Sequence, residues 1–188
     1  MSILLFEFAS RYVVELVNEI PGDLAGLRHV YFPGASREGG RDGLLLKVSP
    51  HEGLPWLGTF AFGYASPLAA SVIASCPSEN FLAVISSGLG TIVNVNNPLA
   101  WEQVKTFPIT DVKAVVTRRL LLFTDFTSIS AYGDRGYVWT TTRLATDEIK
   151  IKEIRQQYVL GSGWNAELQR EVEFLVDLDS GSHETVSG

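Results

Sequence analysis

Apolar and polar residues alternate in short runs along most of this chain, and Gly, Pro, Asn, Asp and Ser punctuate the runs. From Trp56 onward the pattern is regular. It predicts strands over residues 59–64, 70–74, 81–85, 91–95, 112–116, 120–124, 128–132, 137–142, 148–154, 157–160 and 172–178. Many short strands with closely spaced turn signals point to an antiparallel all-β fold. The run Ile149-Lys150-Ile151-Lys152-Glu153-Ile154 alternates cleanly, as a strand with one wet and one dry face does. Leu120-Leu121-Leu122-Phe123 is apolar at every position, which predicts a strand buried on both faces.

The first third is less regular. Residues 3–8 read as a strand. Residues 12–20 fit either a short helix or a strand, because Val13, Val14, Leu16, Val17 and Ile20 satisfy both periods. Pro21-Gly22-Asp23 ends that element. Residues 28–32 and 44–48 read as strands, separated by a glycine-rich polar loop over residues 34–43. A second helix-prone stretch covers residues 165–170. The expected organisation is one domain: an irregular N-terminal cap with a short helical segment over residues 1–55, β units over residues 56–181, and a flexible tail over residues 182–188.

Two stretches can be laid over each other. Residues 81–103 read FLAVISSGLGTIVNVNNPLAWEQ and residues 120–141 read LLLFTDFTSISAYGDRGYVWTT. Each has an apolar run, a polar break, an alternating run, a turn and a tryptophan, and Trp101 and Trp139 stand 38 residues apart. Periods of that size mark architectures in which each unit buries its apolar face against its neighbours. Residues 120–157 resemble one blade of the quinoprotein-like β-propeller repeats, with IKIKEI as the outer strand and Ala131, Gly133, Gly136 and Trp139 as the docking signature. Residues 81–116 are a similar unit, and residues 158–181 an incomplete third. The resemblance covers about half of the chain and implies a partial or small propeller, since rings use about four to eight blades. It carries over no cofactor residue. The repeat positions it singles out are Trp101, Trp139, Gly133, Gly136 and Asp125.

Composition narrows the function classes. The 188 residues are 46% apolar and 19% charged, with a net charge of −6. That acidity disfavours a general nucleic-acid binder, which needs a basic face. Cys76 is the single cysteine, so an internal disulfide is impossible, and a small buried apolar role is expected for it. The N-terminus lacks the basic region of a signal peptide, and no run approaches the length that spans a bilayer, so a cytoplasmic protein is expected.

Candidate chemistry is sparse. Gly161-Ser-Gly163-Trp-Asn-Ala166 matches the dinucleotide pattern G-x-G-x-x-A, but only about two helical turns fit before the next strand, so a glycine turn is expected. Asp177, Asp179 and Glu184 fall short of a calcium loop by ligand count. His29, His51 and His183 show no metal-ligand spacing and are expected in loops or at the surface. The Arg37–Gly43 loop offers amides and two arginines to an anion, offset by Glu38 and Asp42. Asp125, and the set Asp134, Arg143 and Asp147, are expected to fix turns. Trp56, Trp101, Trp139 and Trp164 are expected between units rather than on a ligand.

No catalytic, cofactor or metal residue is assigned. The expected function is a non-enzymatic binding or scaffold module for a protein partner, or for a second copy in a homodimer. The alternative is a small-molecule or carbohydrate-binding protein, or a weak hydrolase, using loops at one end of the sheets; a dinucleotide-dependent enzyme is kept only for the Gly161 string.

Overall fold

The computed structural model describes residues 3–18, 26–34 and 42–186, and among them the chain is all-β. Seventeen strands run in order: β1 (Ile3–Leu5), β2 (Tyr12–Leu16), β3 (Arg28–Phe32), β4 (Gly43–Pro50), β5 (Trp56–Ala61), β6 (Val72–Ser75), β7 (Phe81–Ser86), β8 (Leu89–Asn94), β9 (Asn97–Gln103), β10 (Asp111–Val115), β11 (Leu120–Thr124), β12 (Ile129–Gly133), β13 (Gly136–Thr140), β14 (Asp147–Ile154), β15 (Tyr158–Asn165), β16 (Arg170–Asp177) and β17 (His183–Val186). They form four sheets. Sheet I has the order β2-β4-β5-β3, sheet II β1-β6-β7-β8-β9, sheet III β10-β11-β12-β13 and sheet IV β14-β15-β16-β17. Two pairs are parallel, β1 with β6 and β3 with β5. The sequence pattern predicts antiparallel sheets, and these two pairs depart from it.

The inner strands explain the stacking. Because side chains alternate across a strand, an all-apolar run must be covered on both faces. In β7, Leu82 and Val84 join the core shared with sheet I, while Ala83 and Ile85 join the core shared with sheet III. In β11, Leu121 and Phe123 pack toward sheet II, and Leu120 and Leu122 toward sheet IV. The sheets therefore stack in the order I, II, III, IV, with one apolar seam between each successive pair. Hairpin chemistry sets the local turns. Ser87 and Gly88 both have positive φ, the geometry that two-residue hairpins require, and they join β7 to β8.

Several expectations are corrected. The helical option for residues 12–20 fails in the described part: Tyr12–Leu16 pairs with β4 as a strand, where Val13 and Val14 favour extended backbone. Among the described residues the one helical element is a 3₁₀ turn at Val116–Arg118. Residues 165–170 form a hairpin rather than a helix, because Asn165 Oδ1 accepts the amides of Glu167 and Leu168 and Gln169 takes positive φ. The described part of the expected cap is strand-built, with β2, β3 and β4 in sheet I and β1 in sheet II; Trp56–Ala61 belongs to sheet I, so a boundary at residue 55 cuts through it. The tail holds strand β17, paired with β16.

The frame of the units is also shifted. IKIKEI is not the outer strand after Trp139; it lies in β14, which opens sheet IV against β15. Sheet III instead begins one strand earlier, at β10. The segment Asn97–Gln103, for which the pattern predicts no strand, forms β9. The Gly161 string is not a turn: Gly161 and Gly163 sit inside β15, where a methyl group on either would lie within 2.5 Å of the Phe174 ring or the Ala145 Cβ.

Candidate functional site

Two of the three seams are locked by the same arrangement. Trp56 Nε1, in sheet I, donates to the Val95 carbonyl of sheet II at 2.8 Å, and Trp139 Nε1, in sheet III, donates to the Leu178 carbonyl of sheet IV at 3.0 Å; each pair is 39 residues apart. Both rings are buried. Under Trp139 lies Gly181, with φ +71°, where a methyl group would stand 2.7 Å from the indole. Trp101 behaves differently. It is paired with Val93 and faces back to sheet I, edge-on to Phe32 at 5.7 Å, whereas Trp139 is paired with Ala131 and faces forward to sheet IV. The two tryptophans that the overlay equates occupy opposite faces. Trp164 lies on the outer face of sheet IV, 39% exposed, among the ion pairs of Lys152 with Glu171 and Glu173.

The forward position on β9 belongs to Glu102, paired with Ile92. It opens on a cavity of about 180 Å³ in the seam between sheets II and III. Phe81, Ile92, Leu121 and Tyr132 supply apolar wall, Cys76 lies in its lining, and the hairpin Gly133-Asp134-Arg135-Gly136 closes one side. Gly136 has φ +94°, and a methyl group there would stand 3.1 Å from Glu102 Oε1. Burial pushes the Cys76 thiol well up from its ordinary range, with the Glu102 charge adding to the effect; burial raises Tyr132 as well. The Tyr132 hydroxyl accepts the Lys105 amide at 2.9 Å. Arg119 pins the rim: its guanidinium donates twice to Asp134 and once to the Pro77 carbonyl, joining the loop of sheet II to the hairpin of sheet III. The hydrogen bonds from Arg119 hold the Asp134 carboxyl below its ordinary range.

A second feature occupies the opposite end of the strands. Residues 62–71 cross from sheet I to sheet II and are tied down by Gly63 N to Ser86 O, Tyr64 N to Ser87 O and Ala70 N to Ile109 O. They carry Phe62, Tyr64 and Leu68 into solvent. Tyr64 meets Phe107 and Phe126 edge-on, with centroids 6.4 and 6.5 Å away. Beside this cluster runs an open groove of about 690 Å³ between sheets III and IV, floored by Leu68, Phe126, Ile149 and Ile151 and rimmed by acidic side chains that include Asp111 and Asp147.

The residues singled out in the sequence are thus dispersed. Gly133 and Gly136 line the cavity, Trp139 fills the next seam, Trp101 packs backward, and Asp125 lies at the groove. Asp125 is a turn former, accepting the amides of Thr127 and Ser128 and both their hydroxyls. Asp177 accepts the amides of Asp179 and Ser180 and the Ser180 hydroxyl, and Asp179 pairs with Arg118, so these two acids of the string near the end are turn and ion-pair residues. Asp134, Arg143 and Asp147 do not meet: Arg143 donates to the carbonyls of Ala145 and Thr146. His29 is in strand β3, stacked on Tyr31 and bonded to Thr59 at 2.8 Å, rather than in a loop. Most of the Arg37–Gly43 loop falls outside the described residues. Glu102, Arg119 and Tyr132 carry no signal of their own in the sequence, because facing depends on register. Tyr64, Phe107 and Phe126 left a readable signal, as aromatics placed in connections between strands.

Among the described residues no group of three or more His, Cys, Asp or Glu side chains is placed to hold a metal ion. No described helix is long and apolar enough to cross a membrane. A scan of family models, a search of curated proteins and a search of solved structures each found no match to this chain.

Proposed function

We propose that this chain is a non-enzymatic binding module of propeller-like β repeats that recognises a protein partner in the cytoplasm. The observation that carries the reading is the aromatic cluster in which exposed Tyr64 and Phe107 meet half-buried Phe126, with the Tyr64 segment held by backbone hydrogen bonds. Aromatic side chains are enriched in interface cores, and a surface fixed before binding loses little freedom on docking. The repeat part of the reading is supported by the shared up-and-down order of sheets III and IV and by the two tryptophan locks, each of which spans 39 residues from donor to acceptor. A single buried thiol, Cys76, is in keeping with a reducing compartment.

The test is co-purification from the native cell with the unaltered chain and with a Tyr64→Ser/Phe107→Ser variant. A polypeptide held by the first and lost by the second, with thermal unfolding of both unchanged within a few degrees, supports the reading. Equal retention, or none, overturns this surface as the interface. Light scattering on the purified chain separates self-association from a different partner.

A further inference from the structure

Three seams join the four sheets, and the middle one lacks what fills its successor. In the seam between sheets III and IV, a side chain from the fourth meander strand, Trp139, reaches the positive-φ Gly181 in the last hairpin of the next sheet. In the seam between sheets II and III the corresponding contact is Glu102 against the positive-φ Gly136. Both glycines lie in or beside the hairpin joining the third and fourth strands of their sheet. A carboxylate on a flexible stem stands where the neighbouring seam has an indole, and the volume the ring would take is the cavity of about 180 Å³.

We infer that this cavity is a binding site for a small cation bearing an aromatic ring. Three observations converge. The size is right, since an apolar cavity of about 150 Å³ in another protein takes benzene. The walls are apolar: Phe81, Ile92, Leu121 and the Cys76 side chain offer little to a hydrated polar group. The charge is defined. Arg119 is committed to Asp134, and Glu102 has no cation within ion-pair distance among the described residues; Arg135, on the hairpin side of the lining, is in no ion pair with Glu102.

Glu102 is solvent-exposed, so its carboxylate can hold an ammonium at the mouth while the ring enters below. Arg119, bridging Pro77 and Asp134, keeps the two rims at a fixed spacing. The ligand class therefore follows from shape and charge together: a ring to replace the missing indole, and a positive head group for Glu102. An anionic ring of the same size has no partner at that carboxylate.

The experiment is a two-dimensional NMR titration of the full chain with benzylamine, benzyl alcohol and benzoate. Benzylamine is expected to give saturable shifts at Cys76, Ile92, Leu121 and Tyr132, with benzyl alcohol weaker and benzoate weakest. Glu102→Gln, at an exposed position that the fold tolerates, is expected to weaken benzylamine by about two- to fivefold, as loss of an exposed ion pair does, and to leave benzyl alcohol unchanged. Glu102→Trp is expected to fill the cavity and abolish all three. Absence of saturable shifts at those residues, benzoate binding as tightly as benzylamine, or an unaltered benzylamine affinity in Glu102→Gln overturns the inference.

Discussion

The indole of Trp139 donates to the Leu178 carbonyl at 3.0 Å, so one side chain of sheet III holds the β16–β17 turn of sheet IV. The ring is buried and packs in the seam with Leu122, Ala131 and Phe174. We predict that Trp139→Ala lowers stability by about 3–5 kcal/mol, the range for truncating a large core aromatic. Trp139→Phe keeps much of the packing, but leaves the Leu178 carbonyl without its donor and sheds part of the ring, at a cost of about 1–3 kcal/mol. Urea unfolding of both variants measures the difference; equal stability to the parent places the ring outside the core.

Gly161→Val tests the strand reading of the G-x-G-x-x-A string. A Cβ there would meet the Phe174 ring at 2.4 Å and the Lys150 carbonyl at 2.8 Å. Overpacking of this kind costs about 1–3 kcal/mol or more, so the variant is expected to unfold at lower temperature. A nucleotide-binding glycine would instead lose ligand affinity with stability kept. Thermal unfolding alone, with no nucleotide present, distinguishes the two.

Stability is expected to fall in alkali. Burial raises Cys76 above its ordinary value of 9.0 and Tyr12 above 10.0, and the Tyr12 phenol donates to the Phe81 carbonyl at 2.8 Å. Both groups stay protonated in the folded chain after they ionise in the unfolded one. The unfolded state then binds fewer protons, so stability is intact below about pH 9 and declines as pH rises further. The slope is about 1.4 kcal/mol per pH unit for each group. Urea midpoints between pH 7 and 10.5 measure it, and Cys76→Ala is expected to delay the onset toward the tyrosine range.

Arg119→Ala removes the clasp between Pro77 and Asp134. Both charges of the ion pair are exposed, so global stability is expected to change little. The local consequence is faster amide exchange at Ser78 and through residues 133–136, measured by hydrogen–deuterium exchange, with exchange in β15 and β16 unaltered. Uniform protection across the rim in this variant means that packing alone holds the mouth.

Which parts were legible depends on the range of the interaction. The all-β character and the double-sided burial of Leu120–Phe123 are local consequences of a two-residue period, and the chain states them directly; the tryptophans are not, since Trp56 and Trp139 are buried while Trp164 lies on an outer face. Strand partners are not local. IKIKEI alternates equally well as the last strand of one sheet or the first of the next, and only pairing with β15 decides it. Facing is harder still, because a slip of one residue turns every side chain to the other side. Trp101 and Trp139 match in sequence yet face opposite seams, which leaves Glu102 rather than an aromatic ring beside Ile92. Short-range alternation is enough to make this protein one of short, closely packed β-strands. Where the seams fall, and which of them encloses a cavity, emerges only on folding, because a cavity is the product of two surfaces brought together from distant parts of the chain.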